Sequence, residues 1–385
     1  MTYDFDQIID RRVTESVKWN RYGEDVLPLW VADMDFRSPE PVIRALQERI
    51  DHGILGYPQE LPGLREAFLA HLERDHGWQV DPEALVLVPG VVTGFNLAIH
   101  AFTAPGDGVL AQTPVYYPIL RAPGTAGRLL DQMELTLRPN GRYEVDSELF
   151  EAAITPRTRI LILCNPHNPV GRVFRPDELE RMAEICLRHD VVICSDEIHC
   201  DLVFPGHRHT PIASLHPDIA RRTITLMAPS KTYNIAGLHC SVAIIEDEDL
   251  REQYCAARAG LVPWVGVMGQ LAGLAAYRDG GPWLEAVLGY LTSNRDFLQS
   301  YVEKELPGIT MIHPEGTYLA WLDCRAADLG RNPYEFFLEE AQVALNDGGS
   351  FGRGGEGFVR LNFGCPRSTL ESALERMRRA LLARG

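Results

Sequence analysis

The sequence is short of positive charge. Lys and Arg total 37 against 53 Asp and Glu, a formal net charge of −16. That excludes an extended phosphate-binding surface for nucleic acid, though one Lys or Arg can still dominate a small cleft. No stretch approaches the ~18 uninterrupted apolar residues of a membrane helix, and Met1 to Arg11 holds no apolar signal core. The eight cysteines (Cys164, Cys186, Cys194, Cys200, Cys240, Cys255, Cys324 and Cys365) form no C-x-x-C pair, and several lie in apolar runs. They read as reduced thiols, so the expectation is a soluble, cytoplasmic protein. His199-Cys200, His207 and His209 match no standard tetrahedral spacing, and no metal site is expected. There is no internal repeat and no G-x-x-x-x-G-K-[ST], which argues against a Walker-type nucleotide site. No long segment is depleted of apolar residues; with 45% hydrophobic and 23% charged residues the chain reads as a folded globular enzyme.

A chain of 385 residues exceeds one comfortable core, so two domains are expected. Ser38, Pro39 and Pro41 precede Val42, Ile43, Leu46 and Ile50 at helical spacing, with Ser38 as N-cap and Gly53 as the stop. A second helical pattern follows Pro62-Gly63 and ends near Gly77. From residue 85, short apolar runs alternate with helical patterns. The runs are Leu85–Val88, Val109–Gln112, Ile160–Cys164, Val191–Cys194, Thr223–Met227 and Val242–Ile245. Consecutive apolar positions suit strands buried on both faces, and the alternation predicts an α/β domain with a mostly parallel central sheet. After about residue 280, long helical patterns and the runs Tyr318–Leu322 and Phe358–Leu361 predict a smaller α+β domain. The expected division is an arm and part of the small domain over 1–50, a large domain over 51–280 and a small domain over 281–385. Gly348 to Gly357 reads as a mobile loop.

Four segments carry candidate chemistry. Ser230-Lys231-Thr232 follows the run Thr223–Met227, where α/β sheets place ligands. A lysine in a partly apolar pocket has a depressed pKa and can form a Schiff base. Asp196-Glu197 follows Val191–Cys194 and offers an acid at another strand end. Asn165-Pro166-His167-Asn168-Pro169-Val170-Gly171 follows Ile160–Cys164, and its two X-Pro steps fix the Asn168 amide. Pro89-Gly90-Val91-Val92-Thr93-Gly94 joins a strand to a helix whose first N–H groups can bind phosphate. Singly, each has an ordinary reading as a surface lysine, a capping acid, a β-turn or plain connectivity. Together they form an ordered set at the strand ends of one sheet.

With that set, the sequence resembles the fold-type I pyridoxal 5′-phosphate (PLP) enzymes of the aminotransferase class I/II family. More narrowly it is similar to the MalY/PatB-type cystathionine β-lyase, or C–S lyase, branch. Trp30-Val31-Ala32-Asp33-Met34-Asp35-Phe36, Gly56-Tyr57-Pro58, Ser195-Asp196-Glu197-Ile198-His199, Ala228-Pro229-Ser230-Lys231-Thr232-Tyr233-Asn234 and Val359-Arg360-Leu361-Asn362 add to the resemblance.

The resemblance implies that Lys231 holds PLP and then acts as base on the substrate Cα–H. It implies that Asp196 pairs with the pyridinium, Asn168 bonds the ring oxygen O3′ and Tyr116 stacks on the ring. Val91, Val92 and Ser230 would bind the phosphate, with Tyr57 reaching it from the partner of a homodimer. Arg360 would clamp the substrate carboxylate, with Asn168 and the backbone at Ala32 nearby. His199 stands where many relatives have a Tyr, and His239 near where many have a phosphate-binding Arg. The implied reaction is α,β-elimination of cystathionine or another cysteine S-conjugate. An aminotransferase is the alternative, and a regulatory protein-binding role is a third reading, since fold does not fix function.

Overall fold

A computed structural model describes residues 3–384. The six apolar runs and one further segment, β3, form a seven-stranded sheet: β1 Leu85–Val88, β2 Gly108–Thr113, β3 Leu129–Glu134, β4 Thr158–Cys164, β5 Val192–Asp196, β6 Thr223–Met227 and β7 Ser241–Ile244. Their order is β1-β7-β6-β5-β4-β2-β3. Strand β7 runs antiparallel to both β1 and β6, and the other pairs are parallel. The double reversal returns β1 to the common direction. The C-terminal ends of β1, β4, β5 and β6 therefore share one edge.

The two faces explain the unbroken apolar runs. Ile160, Ile162 and Cys164 of β4, with Val192 and Cys194 of β5, pack on one side with helix residues Phe95, Leu97 and Ala98. Leu161, Leu163 and Ile193, with the opposite phase, pack against Leu179, Met182 and Ile185 on the other. A period-2 strand covered on both sides needs an apolar residue at every position. Strand β3 lies outside the predicted set. As an edge strand it alternates buried Asp131 and Met133 with Gln132 and exposed Glu134, so no apolar run announces it.

Helices α1 Glu40–His52, α2 Leu64–His71, α3 Val91–Phe102, α4 Pro176–Arg188, α5 Val267–Asp279, α6 Gly281–Glu305 and α7 Arg367–Leu382 surround the sheets. α4 starts where Pro176 fixes the first turn and Glu178 accepts from the Arg175 N–H at 2.9 Å. α1 ends on Gly53 in the left-handed conformation, as expected. Its N-cap position is Pro39, however, because Ser38 Oγ donates to the Asn234 carbonyl instead. α2 widens into a π-helical turn, Leu72–His76, before stopping at Gly77.

Toward the C-terminus, β8 Thr310–Ile312, β9 Leu319–Asp323, β10 Asn346–Asp347 and β11 Phe358–Asn362 form an antiparallel sheet in the order β8-β9-β11-β10. The N-terminal arm joins it. Leu27–Pro28 pairs in parallel with Val343–Ala344, and Asn362 N–H donates to the Leu29 carbonyl at 2.8 Å. The Gly348 to Gly357 stretch is packed rather than free. Phe351 is fully buried beside Trp321, and its carbonyl accepts from the Val115 N–H. Among the described residues no helix is long and apolar enough to cross a membrane.

Candidate active site

The shared strand edge opens into a cleft of about 320 Å³ lined by Ala32, Gly90, Val91, Val92, Thr93, Tyr116, Asn168, Asp196, His199, Ser230, Lys231 and His239, among others. Each comes from a strand end or the arm. Gly90 takes φ +118°, which a side chain would strain, and turns β1 into α3. Its own N–H bonds Val88 O and Ser241 Oγ, both at 2.9 Å. The next N–H groups, of Val91, Val92 and Thr93, belong to the first turn of a helix and lack intrahelical acceptors.

Lys231 sits on the short helical turn Pro229–Thr232 beyond β6. Its Nζ donates to the Ala32 carbonyl at 2.6 Å. Burial lowers its pKa to about 8, against the pull of Asp33 and Asp196. Asp196, at the end of β5, is buried and accepts one backbone N–H, from Ile198 at 3.2 Å. Burial raises its carboxyl to about 7. Its neighbour Glu197 points the other way, bonded to Ser195 Oγ, His209 Nε2 and the Ile212 N–H.

Asn168 is held by its loop: its carbonyl accepts from Tyr116 N–H, and its Oδ1 accepts from Arg360 Nη1 at 2.9 Å. Arg360, on β11, is buried beside these groups. Its other contacts are the Trp30 carbonyl at 2.8 Å and Asn346 Oδ1. It has no carboxylate partner among the described residues, and burial lowers its pKa to about 10. A guanidinium surrounded by neutral acceptors is an open site for a carboxylate. His199 is buried and held neutral, its pKa lowered to about 3 by burial and by Lys231 and Arg360. Tyr116 lines the cleft with its hydroxyl pKa raised by burial to about 12.

Most of the expected residues thus meet at one place. Tyr57 does not: it is fully exposed on the segment after α1, outside the cleft of its own chain. The expectation for Ala32 needs refining, since its carbonyl is taken by Lys231 and by Tyr318 OH at 2.8 Å. His239 lies exposed at the cleft wall with φ +51°. Sequence reasoning passed over Tyr318, Thr93 and Asn234. The Asn234 side chain ties Met34 N–H and the carbonyls of Met34 and Phe36 to the lysine turn. An Asn three residues beyond a motif lysine was the available signal.

These residues fit PLP by physical criteria. Buried His199 Nδ1 and Arg360 Nε have no hydrogen-bond partner, Asp196 is an acid without a cation in contact, and helix amides face the cleft. Such unsatisfied groups cost free energy unless a ligand meets them.

A family model for aminotransferase class I and II matches residues 24–377. Cystathionine β-lyase PatB of Bacillus subtilis is 43% identical, covering 98% of this chain and 100% of its own length. A crystal structure of OvoB aligns at 46% identity with a TM-score of 0.94, over 98% of this chain and 99% of that one. Cystalysin of Treponema denticola, whose structure contains pyridoxal 5′-phosphate, aligns at 36% identity with a TM-score of 0.96 over the whole of both chains. With the strand order, the cleft and the family match in agreement, this chain belongs to the aminotransferase class I and II family.

Proposed function

We propose that this protein is a PLP-dependent C–S β-lyase. Its reaction splits the Cβ–S bond of cystathionine or another cysteine S-conjugate. The sulfur leaves as a thiol, and the three-carbon remainder takes up one water to give pyruvate and ammonia. The observation that carries the reading is the meeting of Lys231, Asp196, Asn168 and Arg360 at one strand edge, in a chain so similar to a cystathionine β-lyase.

The bound cofactor supplies an electron-accepting ring conjugated to the substrate Cα. The chain supplies the rest. With a pKa of about 8, half the Lys231 side chains are neutral near pH 8, the form that attacks a carbonyl and accepts the Cα proton. Asp196 would ionise with a cation against it, and would so keep the cofactor's pyridine nitrogen protonated. Asn168 gives its Oδ1 to Arg360, which leaves its NH₂ to donate to O3′. Arg360 exchanges neutral acceptors for the substrate carboxylate. Tyr116 would pack on the ring, and neutral His199 would offer a polar edge without adding charge. Val91 and Val92 amides with the Ser230 hydroxyl would hold the phosphate.

Exposed Ile54, Leu55 and Tyr57 support a homodimer in which Tyr57 reaches the partner's phosphate site. Seven of eight cysteines are buried and unpaired, which supports a cytoplasmic location. The separate sheets over residues 85–244 and 310–362 support the division into large and small domains.

The test is direct. Purified, cofactor-loaded protein given cystathionine and a panel of cysteine S-conjugates should release pyruvate and thiol in equal amounts. Amino transfer to a ketoacid, without pyruvate from any conjugate, would overturn the proposal in favour of an aminotransferase.

A further inference from the structure

Behind the lysine turn, on the side away from the active cleft, four metal-ligating side chains converge. They are His71 at the end of α2, His76 at the end of the following π-helical turn, and Cys200 and Asp201 after β5. One ligand atom from each lies within 4.8 Å of every other. His71 Nε2 is 3.1 Å and His76 Nε2 3.3 Å from Asp201 Oδ1. We propose that His71, His76, Cys200 and Asp201 form a structural site for a divalent transition-metal ion, zinc by the chemistry of the donors.

Two imidazoles, a thiolate and a carboxylate are a borderline-soft, four-donor set, which favours zinc over magnesium or calcium. Around a tetrahedral zinc with bonds of roughly 2.0–2.3 Å, donors stand roughly 3.3–3.7 Å apart. The two measured nitrogen–oxygen separations need only a slight opening, and the widest pair closes by about 1 Å. The outer contacts are also in place. His71 Nδ1 faces Asp75 Oδ2 at 2.7 Å, the carboxylate–histidine arrangement that orients a metal ligand. Asp201 keeps Oδ2 for Thr232 Oγ1 at 2.8 Å, leaving Oδ1 for the ion. A cleft of about 430 Å³, lined by Asp75, His76, Cys200, Asp201, Arg208 and others, leads to the cluster.

On binding, Cys200 gives up its thiol proton, and the imidazole nitrogens that face Asp201 bind in their unprotonated form. The ion would tie the end of α2 to the turn after β5. Through Thr232 it would also brace the turn that carries Lys231. The site does not depend on which reaction the enzyme performs. Sequence spacing concealed it because the two histidines precede the Cys-Asp pair by more than a hundred residues.

The experiment uses cofactor-loaded protein, stripped with a chelator and titrated with Co²⁺ and then Zn²⁺. The expected result is one Co²⁺ per chain, with the strong visible bands of four-coordinate cobalt and a near-ultraviolet thiolate charge-transfer band, both abolished by Zn²⁺. Cys200→Ser should lose the charge-transfer band, and Cys200→Ser and His76→Gln should each weaken zinc binding at least ~10-fold. Cys255→Ser, at the exposed cysteine, should change neither. Weak six-coordinate cobalt bands without a thiolate band, or affinity unchanged in Cys200→Ser and His76→Gln, would overturn the proposal. If Cys200→Ser does not fold, the cobalt spectrum of the unaltered protein decides alone.

Discussion

The chain has three lysines, and two of them, Lys18 and Lys231, meet different parts of the same arm. Lys18 is 1% exposed and fully engaged: Nζ lies 2.7 Å from Asp35 Oδ2 and bonds the Asp33 carbonyl at 3.2 Å. Arg11 and Trp19 Nε1 complete the bonding of Asp35, and Arg11 also grips Asp33. Lys231 has one neutral acceptor, the Ala32 carbonyl, and no carboxylate in contact. The same side chain is thus committed to the fold in one region and held ready in the other. Around Lys231 the pattern repeats: Arg360 lacks a carboxylate, His199 Nδ1 lacks a partner and Asp196 lacks a contacting cation. Pairing marks the arm network; withheld pairing marks the active cleft. Buried groups left this way destabilise the fold until a ligand meets them.

The sharpest way to break this contrast is to remove each lysine in turn. Lys231→Ala should lose the visible band of protein-bound cofactor and lower pyruvate release from cystathionine roughly 10⁴-fold, as expected for loss of a base and covalent anchor. Its fold should persist, judged by urea denaturation. Lys18→Ala should do the reverse. Removing one of the two cations that hold buried Asp35, with Arg11 still in place, should cost roughly 1–3 kcal/mol in urea denaturation, while the visible band survives under folding conditions. If Lys18→Ala leaves stability unchanged, the arm network is not what holds Val31 to Asp35 in place.

Arg360→Lys refines the cleft side of the comparison. A lysine keeps the charge but not the two-pronged geometry, so KM for the amino-acid substrate should rise roughly 100-fold with a smaller change in kcat. A kcat-only effect would remove Arg360 from carboxylate binding.

The most gradual effect is a pH slope in the cofactor-free protein. Asp196, with a folded pKa of about 7 against an ordinary 3.8, keeps a proton that the unfolded chain releases. Its contribution to stability is therefore lost as pH rises from about 4 to about 7, at about 1.4 kcal/mol per pH unit, and is flat above that. His199, with a pKa lowered to about 3, works in the opposite sense below about 6.5. The measurement is thus the stability of the wild type minus that of Asp196→Asn, which should fall across this window. A constant difference would mean that Asp196 is already ionised.

Much of this was legible in the sequence because the strands are buried on both faces. Six unbroken apolar runs marked six strands, and the residues just past their ends marked the cleft. The edge strand β3 was not legible, since its single covered face leaves an alternating, polar-looking pattern. Gly348 to Gly357 looked mobile because glycine signals freedom; here Gly348 and Gly355 instead let two backbones touch, where a side-chain Cβ on either would lie near 2 Å from the other's carbonyl. Tyr318 and the His71–Asp201 cluster were hidden for another reason. Their partners are set by tertiary approach between distant segments, which no local spacing records. Asp33 and Asp35 stood in a motif, but only the structure divides them between Lys18, Arg11 and the long-range field at Lys231.

The most direct measurement reduces the cofactor-loaded protein with borohydride, digests it and locates the added cofactor mass by peptide mass spectrometry. The account predicts the mass on the peptide containing Lys231 alone. Finding it on Lys18 or Lys304, or on no lysine, would contradict the assignment of Lys231 as the residue held ready for the cofactor.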